Sequence, residues 1–166
     1  ARALASVAGQ TCKPREVIVV DDGSDDGTIE AAEAMAGQMN GIALIVVQQD
    51  NQGAGAARNR ALAQATSTYV AFLDADDEWL GEKMARSMAM LEGSGHVLVG
   101  HDYIRVAASG AEQLIECARL FQQTDDPLAG LFRRGFIATS SVVVRRDAVA
   151  AAGGFDESLA TAQDFD

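Results

Sequence analysis

The chain has 166 residues, of which 48% are hydrophobic and 22% charged, and its formal net charge is −11. This apolar fraction is typical of a folded globular domain and excludes extensive disorder. The acidic balance argues against nucleic acid as a partner, because phosphates are bound by clustered Lys and Arg, and Lys13 and Lys83 are the only lysines. The longest apolar run, residues 42–47, is far shorter than the ~20 residues of a membrane-spanning helix, so no transmembrane segment is predicted in this chain.

The first two thirds of the chain alternate between apolar, β-branched runs and helical segments. A first helix is expected within residues 2–10. Strands are then predicted at 16–20, 42–47, 69–73 and 96–99. Helices are predicted between them, through Glu30 and Met35, over 56–65 and over 79–91. This alternation predicts the α/β class, with a mostly parallel sheet covered by helices on both faces.

The pattern weakens after Gly100 but continues to the end of the chain. A strand is expected at 103–106, a short helix at 128–134, a strand at 140–144 and a helix at 147–152 closed by Gly153 and Gly154. No linker or internal repeat divides the sequence. We therefore interpret residues 1–166 as a single domain.

Acidic residues follow two of the predicted strands. Asp21 and Asp22 come after the first strand, and Asp74, Asp76 and Asp77 after the third. The carboxyl ends of parallel strands form the edge where α/β proteins bind ligands, and Mg²⁺ is commonly held there by one or two carboxylates plus substrate phosphates. The pattern therefore predicts a metal–phosphate site, although aspartates after strands also serve simply as turn formers.

Two further segments carry candidate site residues. Gly53 and Gly55 lead into a helix with Arg58 in its first turn, which is either a phosphate-facing loop or a flexible turn with a surface arginine. Near the end, acidic residues in 153–157 and 163–166 are either solvated loop residues or the source of a general base. The sequence alone leaves both alternatives open.

Together these segments resemble the motifs of family 2 glycosyltransferases. The resemblance rests on four stretches in the family's order, spread over nearly the whole chain. They are Glu16-Val-Ile-Val-Val-Asp-Asp-Gly-Ser-Asp-Asp-Gly-Thr28, Asn51-Gln-Gly-Ala-Gly-Ala-Ala-Arg-Asn59, Phe72-Leu-Asp-Ala-Asp-Asp-Glu-Trp79, and Gly153-Gly-Phe-Asp-Glu157 with Gln163-Asp-Phe-Asp166. Each stretch is a weak signal alone, and the four together are specific.

The resemblance implies a GT-A fold and an inverting transfer of a sugar from a nucleoside diphosphate. By this likeness Asp22 contacts the nucleoside, Asp74 lies near the ribose or metal, and Asp76 binds Mg²⁺ or Mn²⁺ bridging the diphosphate. Arg58 is assigned to the diphosphate side or to ordering the aspartate loop, and Asp164 to the catalytic base. A UDP-sugar is the donor expected from the family.

The resemblance also carries expectations about the whole protein. The acceptor would be a carbohydrate or lipid-linked hydroxyl, and the product a polysaccharide or lipid-linked glycan. The domain would work in the cytoplasm, peripheral to the inner face of the membrane. The family usually has one strand before the first motif and acceptor-side elements after the last, so the domain is expected to be incomplete at both ends. Position 163 is Gln where the family more often has Glu.

Two other classes place aspartates after buried strands. A phospho-receiver signalling domain does so, but it needs a lysine after a late strand, and neither Lys13 nor Lys83 is in that position. A sugar-1-phosphate nucleotidyltransferase has a similar sheet, and it is disfavoured here by the Asp-Asp-Gly-Ser and Gly-Gly-Phe-Asp-Glu motifs. Both remain alternatives to the glycosyltransferase on sequence alone.

Overall fold

A computed structural model of the chain describes residues 1–123, 125–135 and 137–159. Its helices are α1 (Arg2–Ala8), α2 (Thr28–Glu33), α3 (Ala54–Gln64), α4 (Lys83–Leu91), α5 (Cys117–Gln122), α6 (Pro127–Arg134) and α7 (Arg146–Ala152). Its strands are β1 (Glu16–Asp21), β2 (Ala43–Gln48), β3 (Tyr69–Ala71), β4 (Leu98–Val99), β5 (Tyr103–Val106), β6 (Glu112–Ile115) and β7 (Val143–Arg145). No helix in these described ranges has the length and apolar character needed to cross a membrane.

The strands pair in three groups. β1 and β2 are parallel and in register from Glu16 opposite Ala43 to Asp21 opposite Gln48. β7 lies between β3 and β4 and is antiparallel to both. β5 and β6 form an antiparallel hairpin. The α/β class is thus confirmed; parallel pairing holds for β1 and β2, whereas the pairs that involve β7 are antiparallel.

The largest apolar core lies between the β1–β2 pair and the helices α1 and α2. Its buried side chains come from both helices and from the segment that leads into β2. Valines of the strand pair, together with Leu44 and Trp79, pack against them. The buried members are Leu4, Val7, Ala8, Ala32, Met35, Met39 and Ile42. This core accounts for the β-branched character of β1, because such side chains pack well on a pleated surface.

Helix α4 begins at Lys83, four residues later than the sequence predicts. The segment before it is held in a turn instead, since the Trp79 backbone N–H donates to Ser6 Oγ over 3.0 Å and the indole Nε1 donates to the Ser140 carbonyl over 2.9 Å. Gln10, which is only 2% exposed, donates to the Leu80 carbonyl and accepts from the Met84 N–H. These long-range bonds override the local helical pattern.

A cleft of about 590 Å³ separates β1 from β3. It is lined by apolar residues of both strands and by residues of α1 and α3. Each of the two strands has one strand neighbour among the described residues, β2 for β1 and β7 for β3. The carboxyl ends of β1 and β3 therefore stand on either side of this cleft.

Candidate active site

The carboxylate of Asp22 holds the loop between β2 and α3. Its Oδ1 accepts from Gln49 Nε2 and from the Gln52 backbone N–H, both over 2.9 Å, and its Oδ2 accepts from the Gly53 N–H over 2.8 Å. Partial burial raises the pKa of Asp22, but the hydrogen bonds from Gln52, Gln49 and Gly53 outweigh it and hold the pKa below its ordinary value. Asp22 is therefore ionised at neutral pH and fixes the glycine loop.

Asp21 has a different role from its neighbour. It is 3% exposed, and its Oδ2 accepts from the Ser24 N–H over 3.1 Å. This bond closes the turn at the end of β1. Asp26 forms a similar local turn by accepting from the N–H and hydroxyl of Thr28. The turn-forming interpretation thus accounts for these two aspartates, in contrast to Asp22.

Arg58 and Asp74 form an ion pair between α3 and the loop after β3. Arg58 Nη2 lies 3.1 Å from Asp74 Oδ1, and the two side chains are 13% and 43% exposed. The Asp74 backbone N–H also donates to Ser140 Oγ over 3.0 Å. Of the two interpretations of Arg58, the surface arginine is therefore wrong, because its guanidinium is largely buried against the aspartate loop.

Asp76 and Asp77 are exposed in the turn that follows, which is closed by the Asp77 N–H donating to the Asp74 carbonyl over 3.1 Å. Within the described residues, no group of three or more His, Cys, Asp or Glu side chains is placed to hold a metal ion. One exposed carboxylate nevertheless fits Mg²⁺ or Mn²⁺ of the kind that shares its coordination with a diphosphate and water, since such ions need few protein ligands. Asp76 is the residue that would hold it, because the Asp74 carboxylate is paired with Arg58.

The segment 153–157 packs on the same helix. Asn59, next to Arg58 on α3, exchanges two hydrogen bonds with the backbone of Phe155 and donates a third to Glu157. The Phe155 ring lies under the Arg58 guanidinium, 5.4 Å from its centroid. The expected base, Asp164, lies outside the described residues.

The N-terminal half of α3 thus connects most of the predicted site. Asp22 accepts from Gly53, the residue just before α3, Asp74 pairs with Arg58, and the segment 153–157 is bound to Asn59. Asp76 follows Asp74 within one turn. Residues from three separate stretches of the chain are therefore held by the first half of one helix and the loop before it.

Sequence reasoning missed three residues of this arrangement. The sequence pattern gives no separate role to Asn59 or Gln49, and it predicts a strand at Ser140, which lies in a turn just before β7. Asn59 is the one that the sequence signals, because it stands inside the glycine–arginine–asparagine stretch. Nothing in the local pattern marks Gln49 or Ser140 as partners of aspartates.

The family model for glycosyl transferase family 2 matches residues 1–150. A relative from Erwinia amylovora, the amylovoran biosynthesis glycosyltransferase AmsB, is 33% identical over 95% of this chain and 54% of its own length. The chain belongs to glycosyltransferase family 2, as the motifs indicate, and this membership decides against the receiver and nucleotidyltransferase alternatives.

Solved structures agree on the fold. Staphylococcus aureus TarS, in a crystal structure with UDP, superposes with a TM-score of 0.76 at 27% identity and covers 99% of this chain. The mannosyltransferase PcManGT from Pyrobaculum calidifontis, in complex with GDP-Man and Mn²⁺, gives a TM-score of 0.72 at 23% identity over 97% of the chain. The GT-A fold is thereby confirmed. This chain spans about half the length of AmsB and 48% of the TarS chain.

Proposed function

We propose that the domain transfers a sugar from a nucleoside diphosphate sugar, with UDP as the expected nucleotide, to a hydroxyl acceptor and with inversion at the anomeric carbon. The observation that carries the proposal is the convergence of Asp22, Asp74 and the segment 153–157 on the N-terminal half of α3. The UDP complex of TarS and the GDP-Man and Mn²⁺ complex of PcManGT support a nucleotide-sugar donor and a divalent ion.

In this proposal each residue of the site has a separate role. Asp22 binds the nucleoside side of the donor, and Asp74, oriented by Arg58, lies beside the ribose and diphosphate. Asp76 would hold Mg²⁺ or Mn²⁺ on the diphosphate side of the donor. A divalent cation supplies Lewis-acid neutralisation of the negative charge that develops on a departing nucleoside diphosphate.

Asp164 is the proposed base. The acceptor oxygen attacks the anomeric carbon, its proton passes to the Asp164 carboxylate, and the bond to the diphosphate oxygen breaks with its electron pair leaving on the nucleotide. A hydroxyl is a weak nucleophile at neutral pH, so general-base assistance of this kind contributes about 10² to 10⁴ in rate. Attack from the face opposite the leaving group gives inversion.

The product class follows from the relatives. AmsB is named for amylovoran biosynthesis, and we propose that this protein likewise extends a polysaccharide or lipid-linked glycan. The sugar and the acceptor are to be found by screening, because loops and further elements determine acceptor choice. A cytoplasmic location at the inner face of the membrane would suit a nucleotide-sugar donor and a lipid-linked acceptor.

Calorimetric titration of UDP with and without Mn²⁺ tests the metal role. Asp76→Ala should lose the gain in UDP affinity that Mn²⁺ gives the unaltered protein, because the carboxylate that anchors the ion is gone. Asp25→Ala, which removes the same charge from an exposed position after β1, should keep that gain. An Asp76→Ala protein that still binds UDP more tightly with Mn²⁺ would contradict the assignment.

The assignment of Asp164 as the base is tested by measuring turnover rather than binding. Asp164→Asn in the active protein should bind UDP and Mn²⁺ normally and lose at least about 100-fold in kcat, in line with the contribution of a general base. Normal kcat in this variant would exclude Asp164 as the base.

A further inference from the structure

Asn59 is joined to the segment 153–157 by a set of hydrogen bonds that uses its whole side-chain amide. Its Oδ1 accepts from the Phe155 N–H over 2.9 Å, and its Nδ2 donates to the Phe155 carbonyl and to Glu157 Oε1, each over 2.8 Å. Both hydrogens of an amide nitrogen are thereby used. We call these three bonds the Asn59 contact.

Steric fit makes the Asn59 contact specific. Gly154 has a φ of +80°, and a Cβ built on it would lie 2.7 Å from Asn59 Oδ1. The amide therefore approaches the backbone at a point where only glycine leaves room. On the far side, the Phe155 ring packs edge-on against Phe72, with centroids 5.3 Å apart. Phe72 belongs to the loop that carries Asp74, so the segment is fixed against that loop as well as against α3.

The Asn59 contact spans parts of the chain that are 96 residues apart. On one side is α3, where Gly53, just before the helix, donates to Asp22 and Arg58 pairs with Asp74. On the other side is the stretch of chain that runs from Phe155 towards Asp164. The Asn59 contact thus joins the helix that holds the donor-side aspartates to the segment 153–157, which precedes Asp164 in the sequence.

We propose that Asn59 is a positioning residue that sets the segment carrying the catalytic base against the donor-side carboxylates. This inference rests on the proposed function, because it takes Asp164 as the base. Misplacement of a reacting group by about 1 Å can cost on the order of 100-fold in rate without loss of substrate binding. Asn59 therefore acts on kcat through the segment 153–157 and does not touch the substrate.

Asn59→Asp tests whether the hydrogen bonds of Asn59, and not only the size of its side chain, are required. Aspartate has the same shape and still accepts from the Phe155 N–H, but it cannot donate to the Phe155 carbonyl and it repels the Glu157 carboxylate. We expect kcat to fall by about 10- to 100-fold, with the affinity for UDP and Mn²⁺ unchanged. Arg60→Ala, at the exposed next position of α3, is the control and should leave both quantities unchanged.

A second substitution should restore part of the lost rate. In Asn59→Asp combined with Glu157→Gln, the amide and the carboxylate exchange places, so the hydrogen bond between positions 59 and 157 can form again. We expect kcat to recover by at least about 3-fold relative to Asn59→Asp, about what one regained hydrogen bond is worth. A loss of kcat that the second substitution does not relieve, or a parallel loss of UDP affinity, would overturn the positioning role.

Amide hydrogen exchange gives a readout that does not depend on activity. Asn59→Ala should speed exchange at the Phe155 N–H, which Asn59 Oδ1 protects, while Arg60→Ala should not. Unchanged exchange in Asn59→Ala would refute the Asn59 contact itself. A protein that binds no UDP and releases none from any UDP-sugar would overturn the proposed function and the catalytic role of Asn59 together, while faster exchange would still establish the contact.

Discussion

Replacing Gly154 by alanine tests the packing of the Asn59 amide in free-energy terms. The φ of +80° costs a residue with a Cβ about 1 kcal/mol. The new methyl group would also lie 2.7 Å from Asn59 Oδ1, so the amide must shift, and we expect this shift to break its two bonds to the Phe155 backbone. At about 1 kcal/mol for each bond, we expect Gly154→Ala to lower the unfolding free energy by about 3 kcal/mol.

Gly110→Ala is the matched control. Gly110 has nearly the same φ, +81°, and a Cβ there meets nothing within 4 Å. Gly110→Ala should therefore lower the unfolding free energy by about 1 kcal/mol, from backbone strain alone. The effect of alanine on the unfolded chain is the same in both variants and cancels in the comparison. Urea unfolding at neutral pH measures the two losses, provided that the slope with denaturant is unchanged. Equal losses for the two variants would refute the close approach of Asn59 to Gly154.

Two further substitutions probe charged groups. Asp22→Asn keeps one acceptor oxygen and should cost about 1 kcal/mol in urea unfolding at pH 7. Because the pKa of Asp22 is lowered in the folded protein, this difference should vanish as pH falls through that pKa. Burial lowers the pKa of Lys83 to about 7. The Trp79 ring, whose centroid lies 3.9 Å from the Lys83 Nζ, stabilises the charged amine to a smaller extent. Lys83→Met should therefore add roughly 2 kcal/mol at pH 6, and this gain should shrink as pH rises from about 7 to about 10.

Local pattern was enough to predict most of the elements. The apolar β-branched run at β1 and the alanine-rich stretch at α3 have one reasonable structure each, and both form where they were expected. The direction in which strands pair is not encoded in the same local way. Whether β7 pairs parallel or antiparallel depends on the path of the chain between strands, and nothing within Val143–Arg145 encodes that path.

The same limit applies to the candidate site. The spacing of aspartates after strands predicts that Asp22 and Asp74 gather at one edge, because parallel strands end together. The partners of these residues come from distant segments, as with Ser140 for Asp74 and Phe155 for Asn59. A single sequence shows that Asn59 stands beside Arg58, but not that its amide will meet a backbone 96 residues further on.

The three hydrogen bonds that the Asp22 carboxylate accepts have a consequence for how this edge of the sheet binds a ligand. They hold residues 49–53 in place through contacts within the fold itself. The conformational entropy of that loop is thus lost during folding, when burial of the core compensates for the loss. It does not have to be lost when a ligand binds. Association at this edge should accordingly involve little backbone rearrangement, and a modest number of contacts should suffice for useful affinity.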